Sequence, residues 1–178
     1  MKWFNLSNQT HELNNDRQYT WPEMTPQDWL MEFLSIVGLV AMLVFIAFYY
    51  PKLPARVPVH FDINGNTEGS GDRIQVWIMP CISLFLYFFL PMGMRFNLVR
   101  RSSRFINRVN TELQFNGRIR LLRFQKIVLI WGFFYISATS IKLALHSGNG
   151  PAIWFVPVFL SLLIIPSVAF LFWLKQNR

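Results

Sequence analysis

The residues that could carry chemistry lie close together between positions 60 and 72. His60, Asp62, Glu68 and Asp72 provide an imidazole and three carboxylates, which are common metal ligands and proton carriers. Their spacing matches no helix-borne metal motif, and the chain has no serine-nucleophile motif. We therefore expect no catalytic residue, no metal site and no cofactor. Turn-stabilising roles for Asp62 and Asp72 and a hydrogen-bonded structural role for His60 are favoured; in an enzyme, His60 would be the first choice of catalytic residue.

The segment 51–73 that carries these side chains is rich in turn and strand signals. Prolines favour an extended chain at its start. Residues 57–63 then alternate in the manner of a short strand, and Asn64-Gly65 is a tight-turn dipeptide. The segment is therefore predicted to form a small folded loop over the ends of the neighbouring helices.

The elements that flank this loop are predicted to be transmembrane helices. Of the 178 residues, 53% are hydrophobic and only 15% are charged, and a hydrocarbon core of roughly 30 Å needs about 20 apolar residues per crossing. Four apolar runs meet this need, which predicts an all-α integral membrane protein with helices at 33–50, 74–94, 127–141 and 152–174. The single cysteine, Cys81, excludes an internal disulfide and is expected to pack in the core.

The third run is short between its flanking charges. Its helix must extend at one end or the other while Arg123, Lys126 and Lys142 reach outward to the membrane surface. Glu32 is likewise expected to be solvated at a span edge. The uncharged cores contain no ionisable residue, so ion-coupled transport by a monomer is not expected. Ser137, Thr139 and Ser140 are predicted to hydrogen-bond between helices.

The distribution of Lys and Arg predicts the orientation of the chain. Thirteen of these residues fall on one side of the four spans and four on the other, and short cytoplasmic segments hold the excess of positive charge. This places both termini in the cytoplasm and the loop 51–73 outside, in the plasma membrane. The predicted organisation is a cytoplasmic leader (1–30), a signature domain (31–94), a basic cytoplasmic loop (95–126) and a C-terminal helical hairpin (127–178).

The basic loop accounts for most of the net charge of +8. Because the orientation rule already explains this charge, no nucleic-acid partner is expected. An amphipathic helix there would face anionic lipid headgroups, and a cytoplasmic regulator is a second candidate partner. The residues predicted to face the headgroups are Arg100, Arg101, Arg104 and Arg108.

The loop also carries a recognisable signature. It reads Leu53-Pro54, Val57-Pro58, His60-Phe61, Gly65, Glu68 and Gly71. This pattern resembles a bacterial membrane-domain family of unknown function, which also forms the front part of the immunity protein against the sporulation-delaying toxin.

The resemblance implies a non-enzymatic immunity or sensing protein whose outer loop binds an extracellular peptide, another ligand or a membrane partner. The alternatives are a small membrane enzyme that uses His60 and a component of an oligomeric transporter. The residues assigned to ligand or partner binding are Pro54, Pro58, His60, Phe61, Asp62, Gly65, Glu68 and Gly71.

Overall fold

The computed structural model describes residues 24–62, 64–95, 108–146 and 150–176. Within these ranges the chain is mostly helical, with a two-stranded antiparallel sheet between the first and second helices. Four helices are long and apolar enough to cross a membrane, which confirms the prediction of a multi-pass helical membrane protein. In chain order the elements are α1 (Pro26–Tyr49), β1 (Arg56–Phe61), β2 (Thr67–Asp72), α2 (Ile78–Arg95), α3 (Arg108–Ala144) and α4 (Phe155–Gln176).

Helix α1 begins earlier than residue 33, where the sequence placed its start. Thr25 is the N-cap residue, and its hydroxyl accepts a hydrogen bond from the Asp28 amide at 3.4 Å. The Asp28 carboxylate in turn accepts from the Thr25 amide at 2.9 Å. This reciprocal capping box and Pro26 in the first turn start the helix before its charge-free run begins.

Helix α3 is much longer than its predicted span. Its 37 residues correspond to about 55 Å at 1.5 Å per residue, against roughly 30 Å of hydrocarbon. It includes residues 108–126, which the sequence assigned to the basic loop. The chain has no proline between Arg108 and Ala144, so nothing in the backbone stops the helix where its charges begin.

Helix α3 is the centre of the bundle, because α1, α2 and α4 all pack against it. The pair α1 and α3 runs parallel, since contacts advance together along both chains from Glu32–Lys126 to Phe45–Phe134. Helix α4 lies at the periphery and has no buried residue. It meets α3 at Gly132, where an added Cβ would overlap Phe159.

The hydrophobic core lies at the end of the bundle next to the sheet. Val57 of β1 is fully buried against a cluster that includes Ile46 of α1 and Ile141 of α3. The sheet is therefore part of the same core as the helices. Cys81 is exposed on α2, so the expectation that it packs in the core is wrong.

Candidate functional site

The two strands form a hairpin whose turn is organised by one carboxylate. Arg56 pairs with Asp72 at the open end and Phe61 with Thr67 near the turn. The Asp62 carboxylate accepts hydrogen bonds from the Asn66 amide at 2.7 Å, the Asn66 side chain at 3.0 Å and the Asn64 amide at 2.9 Å. These bonds, the Asn66 side chain first, lower the pKa of Asp62. Asp62 thus has the predicted turn-stabilising role.

The tip of the hairpin rests on the connection between α3 and α4. Gly65 has a φ of 82°, a left-handed conformation that favours glycine. A Cβ at Gly65 would overlap the Pro151 carbonyl oxygen, and a Cβ at Gly150 would overlap the Gly65 carbonyl oxygen. The backbones touch directly, so the hairpin is held at its tip as well as through Val57.

A groove of about 950 Å³ lies between the hairpin and the end of α3. Its walls combine apolar, polar and charged groups, and both signs of charge are present. His146 has a φ of 53°, and its amide donates to the Leu143 carbonyl oxygen at 3.0 Å; a positive φ is uncommon for a residue other than glycine. The groove is lined by Pro54, Arg56, Val57, Pro58, Asn66, Thr67, Glu68, Gly69, Ser70, Leu143, Ala144, His146 and Gly150.

The predicted binding residues divide into three groups in this structure. Pro54, Pro58 and Glu68 line the groove. Asp62 and Gly65 build the turn and its contact with the α3–α4 connection. The remaining three lie outside the groove lining and are His60, Phe61 and Gly71.

These three residues have identifiable surroundings. His60 is exposed on β1, and a Cβ at Gly69 would lie 3.2 Å from its ring. Gly71 leaves room for the Gln75 side chain, and Phe61 lies beside Gly150. Much of the loop signature therefore serves the shape of the hairpin.

Sequence reasoning missed ten of the thirteen groove residues, six of them on the hairpin and four on the far wall. Leu143, Ala144 and His146 lie more than 70 positions from the hairpin in the chain, and no local pattern connects them to it. Asp72, expected in a turn, lies instead at the end of β2 opposite Arg56. In the described ranges no group of three or more His, Cys, Asp or Glu side chains could hold a metal ion.

A second set of chemical groups lies at the start of α1 and near the middle of α3. We call it the charge cluster; it joins two carboxylates of α1 to three cations of α3. Arg123 Nη1 lies 2.6 Å from Asp28 Oδ1, and Lys126 Nζ donates to Glu32 Oε2 at 2.6 Å. Further ion pairs join Arg120 to Asp28 at 3.7 Å and Arg123 to Glu32 at 3.5 Å.

Lys126 is the most deeply buried member of the charge cluster, with a side chain only 2% exposed. Its ammonium group also lies 4.5 Å from the centre of the Tyr87 ring on α2, a cation–π arrangement. The Tyr87 hydroxyl also lies close to Glu32. Glu32, Tyr87 and Lys126 therefore join three helices at one point.

The charge cluster corrects the predicted positions of several charges. Lys126 points inward to Glu32, and Arg123 points inward to Asp28 with a side chain 15% exposed; neither reaches outward as predicted. The prediction missed them because each charge was considered alone, whereas opposite charges on neighbouring helices offset one another's desolvation. Lys142 is exposed, as expected.

Two further predictions concern polar and basic side chains of α3. Ser137 donates to the Phe133 carbonyl and Thr139 to the Tyr135 carbonyl, so both bond within α3 and not between helices. Among the arginines predicted to face lipid headgroups, Arg108 is the first residue of α3. The other three, Arg100, Arg101 and Arg104, lie outside the described residues.

Comparison with known proteins identifies one region of the chain. Residues 37–84 match the family described as Domain of unknown function (DUF1648). The match covers the second half of α1, the whole hairpin and the start of α2, and is consistent with an uncharacterised membrane-domain family. No curated protein and no solved structure matches the chain.

Proposed function

We propose that this multi-pass protein binds an extracellular ligand or a neighbouring membrane protein in the groove between its hairpin and α3. The role is one of immunity or sensing, without catalysis. The observation that carries the proposal is the groove itself, because its walls come from both halves of the chain and the hairpin is fixed at its tip and base. Such a preformed concave surface with converging polar groups is the usual form of a binding site.

The orientation follows from the bias of Lys and Arg. Thirteen of the 17 basic residues belong to segments on the side of the charge cluster, and this excess favours the cytoplasm. The groove then faces the outside of the plasma membrane, and both termini are cytoplasmic.

The lining of the groove favours a partner of mixed character. Arg56, Glu68 and His146 can pair with charged groups, while Pro54, Leu143 and neighbouring apolar side chains provide hydrophobic contact. A peptide or an exposed segment of another membrane protein combines these features. The signature of the loop, shared in resemblance with an immunity protein, supports the same class of ligand.

The enzyme alternative depends on His60, and its position does not support that role. The side chain is exposed and outside the groove lining, so it lacks the enclosed surroundings in which general acid–base groups act. His60→Ala is therefore expected to retain function at normal protein levels. Loss of function without loss of protein would favour chemistry at His60.

The direct test fills the groove. Ser70 lies on its wall, so Ser70→Trp should block a ligand, whereas Asn64→Trp places the same side chain on the exposed turn outside the lining. In a strain that lacks the protein, the first variant is expected to fail to rescue the deletion phenotype and the second to rescue it. Rescue by both variants, or by a chain in which a neutral linker replaces residues 51–73, would contradict the proposal.

A further inference from the structure

Helices α1 and α3 connect the groove to the charge cluster. Helix α1 leads into the hairpin through the short 3-10 segment Tyr50–Lys52, and α3 ends at Ala144 in the groove wall. The same two helices hold all five charges, within the first two turns of α1 and near the middle of α3. Beyond Pro26, neither helix contains a proline, so neither has the usual kink point.

The two helices are in close contact between the groove and the charge cluster. A Cβ at Gly38 of α1 would lie 2.9 Å from Trp131 Nε1, so the helix backbone and the indole are nearly touching. The Trp131 indole donates to the Leu34 carbonyl oxygen of α1 at 3.2 Å. The pair is thus held near its middle, with the hydrophobic core on one side of the contact and the charge cluster on the other.

The charge cluster has features that adhesion alone does not require. Buried ion pairs are costly to desolvate, and apolar side chains of similar size often hold helices together equally well. These ionisable groups lie within the candidate spans Pro26–Lys52 and Asn116–Ala144, and ionisable groups in such segments suggest a further role. Lys126 contacts both Glu32 of α1 and the Tyr87 ring of α2, so its position depends on how α3 lies against both helices.

We propose that the charge cluster is coupled to the groove through the α1–α3 pair. A shift of α3 at the groove changes the pairing of Lys126 with Glu32, and a change in that pairing alters the groove. Packed helices shift as units between discrete arrangements and do not bend continuously, and the close contact at Gly38 and Trp131 provides the fixed point. The coupling rests on the proposed function only in treating the groove as the ligand-binding end.

The test measures the groove while the charge cluster is changed, without any ligand. A single cysteine replaces Glu68 in the groove wall on a Cys81→Ser background, and its rate of modification by a membrane-impermeant maleimide is measured in intact cells and in detergent. The double variant E32Q/K126Q removes both charges without leaving one buried and unpaired. Gln125→Ala is the matched control, because Gln125 is adjacent on α3 but its side chain bonds Ser167 of α4 at 2.7 Å.

Coupling of an ordinary size changes the modification rate about fivefold or more in E32Q/K126Q and leaves it unchanged in Gln125→Ala. Tyr87→Phe removes only the hydroxyl next to Glu32 and is expected to change the modification rate in the same direction. This milder variant tests the coupling even if the double variant does not fold. Unchanged rates in the charge-cluster variants that fold would overturn the coupling. That result would leave ligand binding untouched, because Ser70→Trp tests the groove independently.

Discussion

The tip of the hairpin requires a glycine at position 65, because the backbone there is left-handed and has no space for a Cβ. Its φ of 82° is unfavourable for other residues, and a Cβ would overlap the Pro151 carbonyl oxygen. The left-handed backbone alone costs an alanine about 1–2 kcal/mol, so Gly65→Ala is expected to lower the unfolding free energy in detergent by about 2 kcal/mol or more.

Gly69→Ala is the control for this change. A Cβ there meets the edge of the exposed His60 ring at 3.2 Å, and the ring can move aside. Its cost is expected to be small. Equal losses of stability in the two variants would show that the contact with Pro151 does not hold the hairpin.

The Asp62 carboxylate gives the hairpin a defined dependence on pH. Hydrogen bonds from Asn66 and Asn64 lower the pKa of Asp62 below its ordinary value of 3.8. The stabilisation is therefore complete above pH 3.8, declines as the pH falls below it, and is lost below the folded-state pKa. The rate at which a protease cleaves the hairpin should rise over this acidic range.

Asp62→Asn should flatten that acidic rise, because the amide does not titrate. Glu68→Gln removes a carboxylate from β2 without touching the turn and should preserve the rise. A cleavage rate with the same pH profile in Asp62→Asn as in the unchanged chain would mean that another group governs the acid sensitivity.

Individual residues of the turn could be predicted from the sequence because their roles are local. Asn64-Gly65 marks the turn, and Asp62 bonds to residues within four positions of itself. His60 was the first choice of catalytic residue, and sequence alone does not tell which face of a bulged strand its side chain occupies. The register shifts around His60 break the simple alternation on which that reasoning depended.

Between elements, the contact of Lys126 with Glu32 makes a large contribution to how α1 and α3 pair. Lys126→Met leaves the half-buried Glu32 carboxylate with Arg123 at 3.5 Å as its remaining partner, so the expected loss lies below the roughly 3–5 kcal/mol that breaking a fully buried pair costs. The double variant E32L/K126M should recover most of this loss, because it removes both charges from the same apolar surroundings. Unfolding in detergent measures all three chains.

Gln125→Ala again serves as the control, with an expected loss of about 1 kcal/mol for one hydrogen bond. If the double variant is as unstable as Lys126→Met, the two residues do not interact as a pair, and the account of the charge cluster is wrong.

The hydropathy pattern predicted the number of long helices but not all of their boundaries. It located all four, because each has an apolar stretch long enough to cross the bilayer. It misplaced the starts of α1 and α3, since Glu32, Arg123 and Lys126 were taken as lying at the edges of spans. Their charges are compatible with packed helices only because they pair across α1 and α3, and the partners are 94 positions apart for Glu32 and Lys126.

On the scale of the whole molecule, the protein is a helical bundle with the groove beside its hairpin and the charge cluster near the start of α1. The groove could not be predicted in full, because its far wall belongs to α3 and the following connection. The folded hairpin could be predicted, since its turn and strand signals are contiguous in the sequence, but of its groove-lining residues only Pro54, Pro58 and Glu68 were assigned to binding. The groove therefore forms only when the fold brings the hairpin beside the end of α3, and the loop signature alone does not predict it.

The orientation of the bundle decides whether that surface meets extracellular partners, so the most direct measurement is cysteine accessibility in intact cells. On a Cys81→Ser background, single cysteines replace Asn66 in the groove, Ser103 in the basic segment and Gln176 at the end of α4. Labelling by an impermeant reagent is predicted at Asn66 alone, with the other two reacting only after the membrane is opened. Labelling at Ser103 and Gln176 but not at Asn66 would place the groove in the cytoplasm and contradict an extracellular binding function.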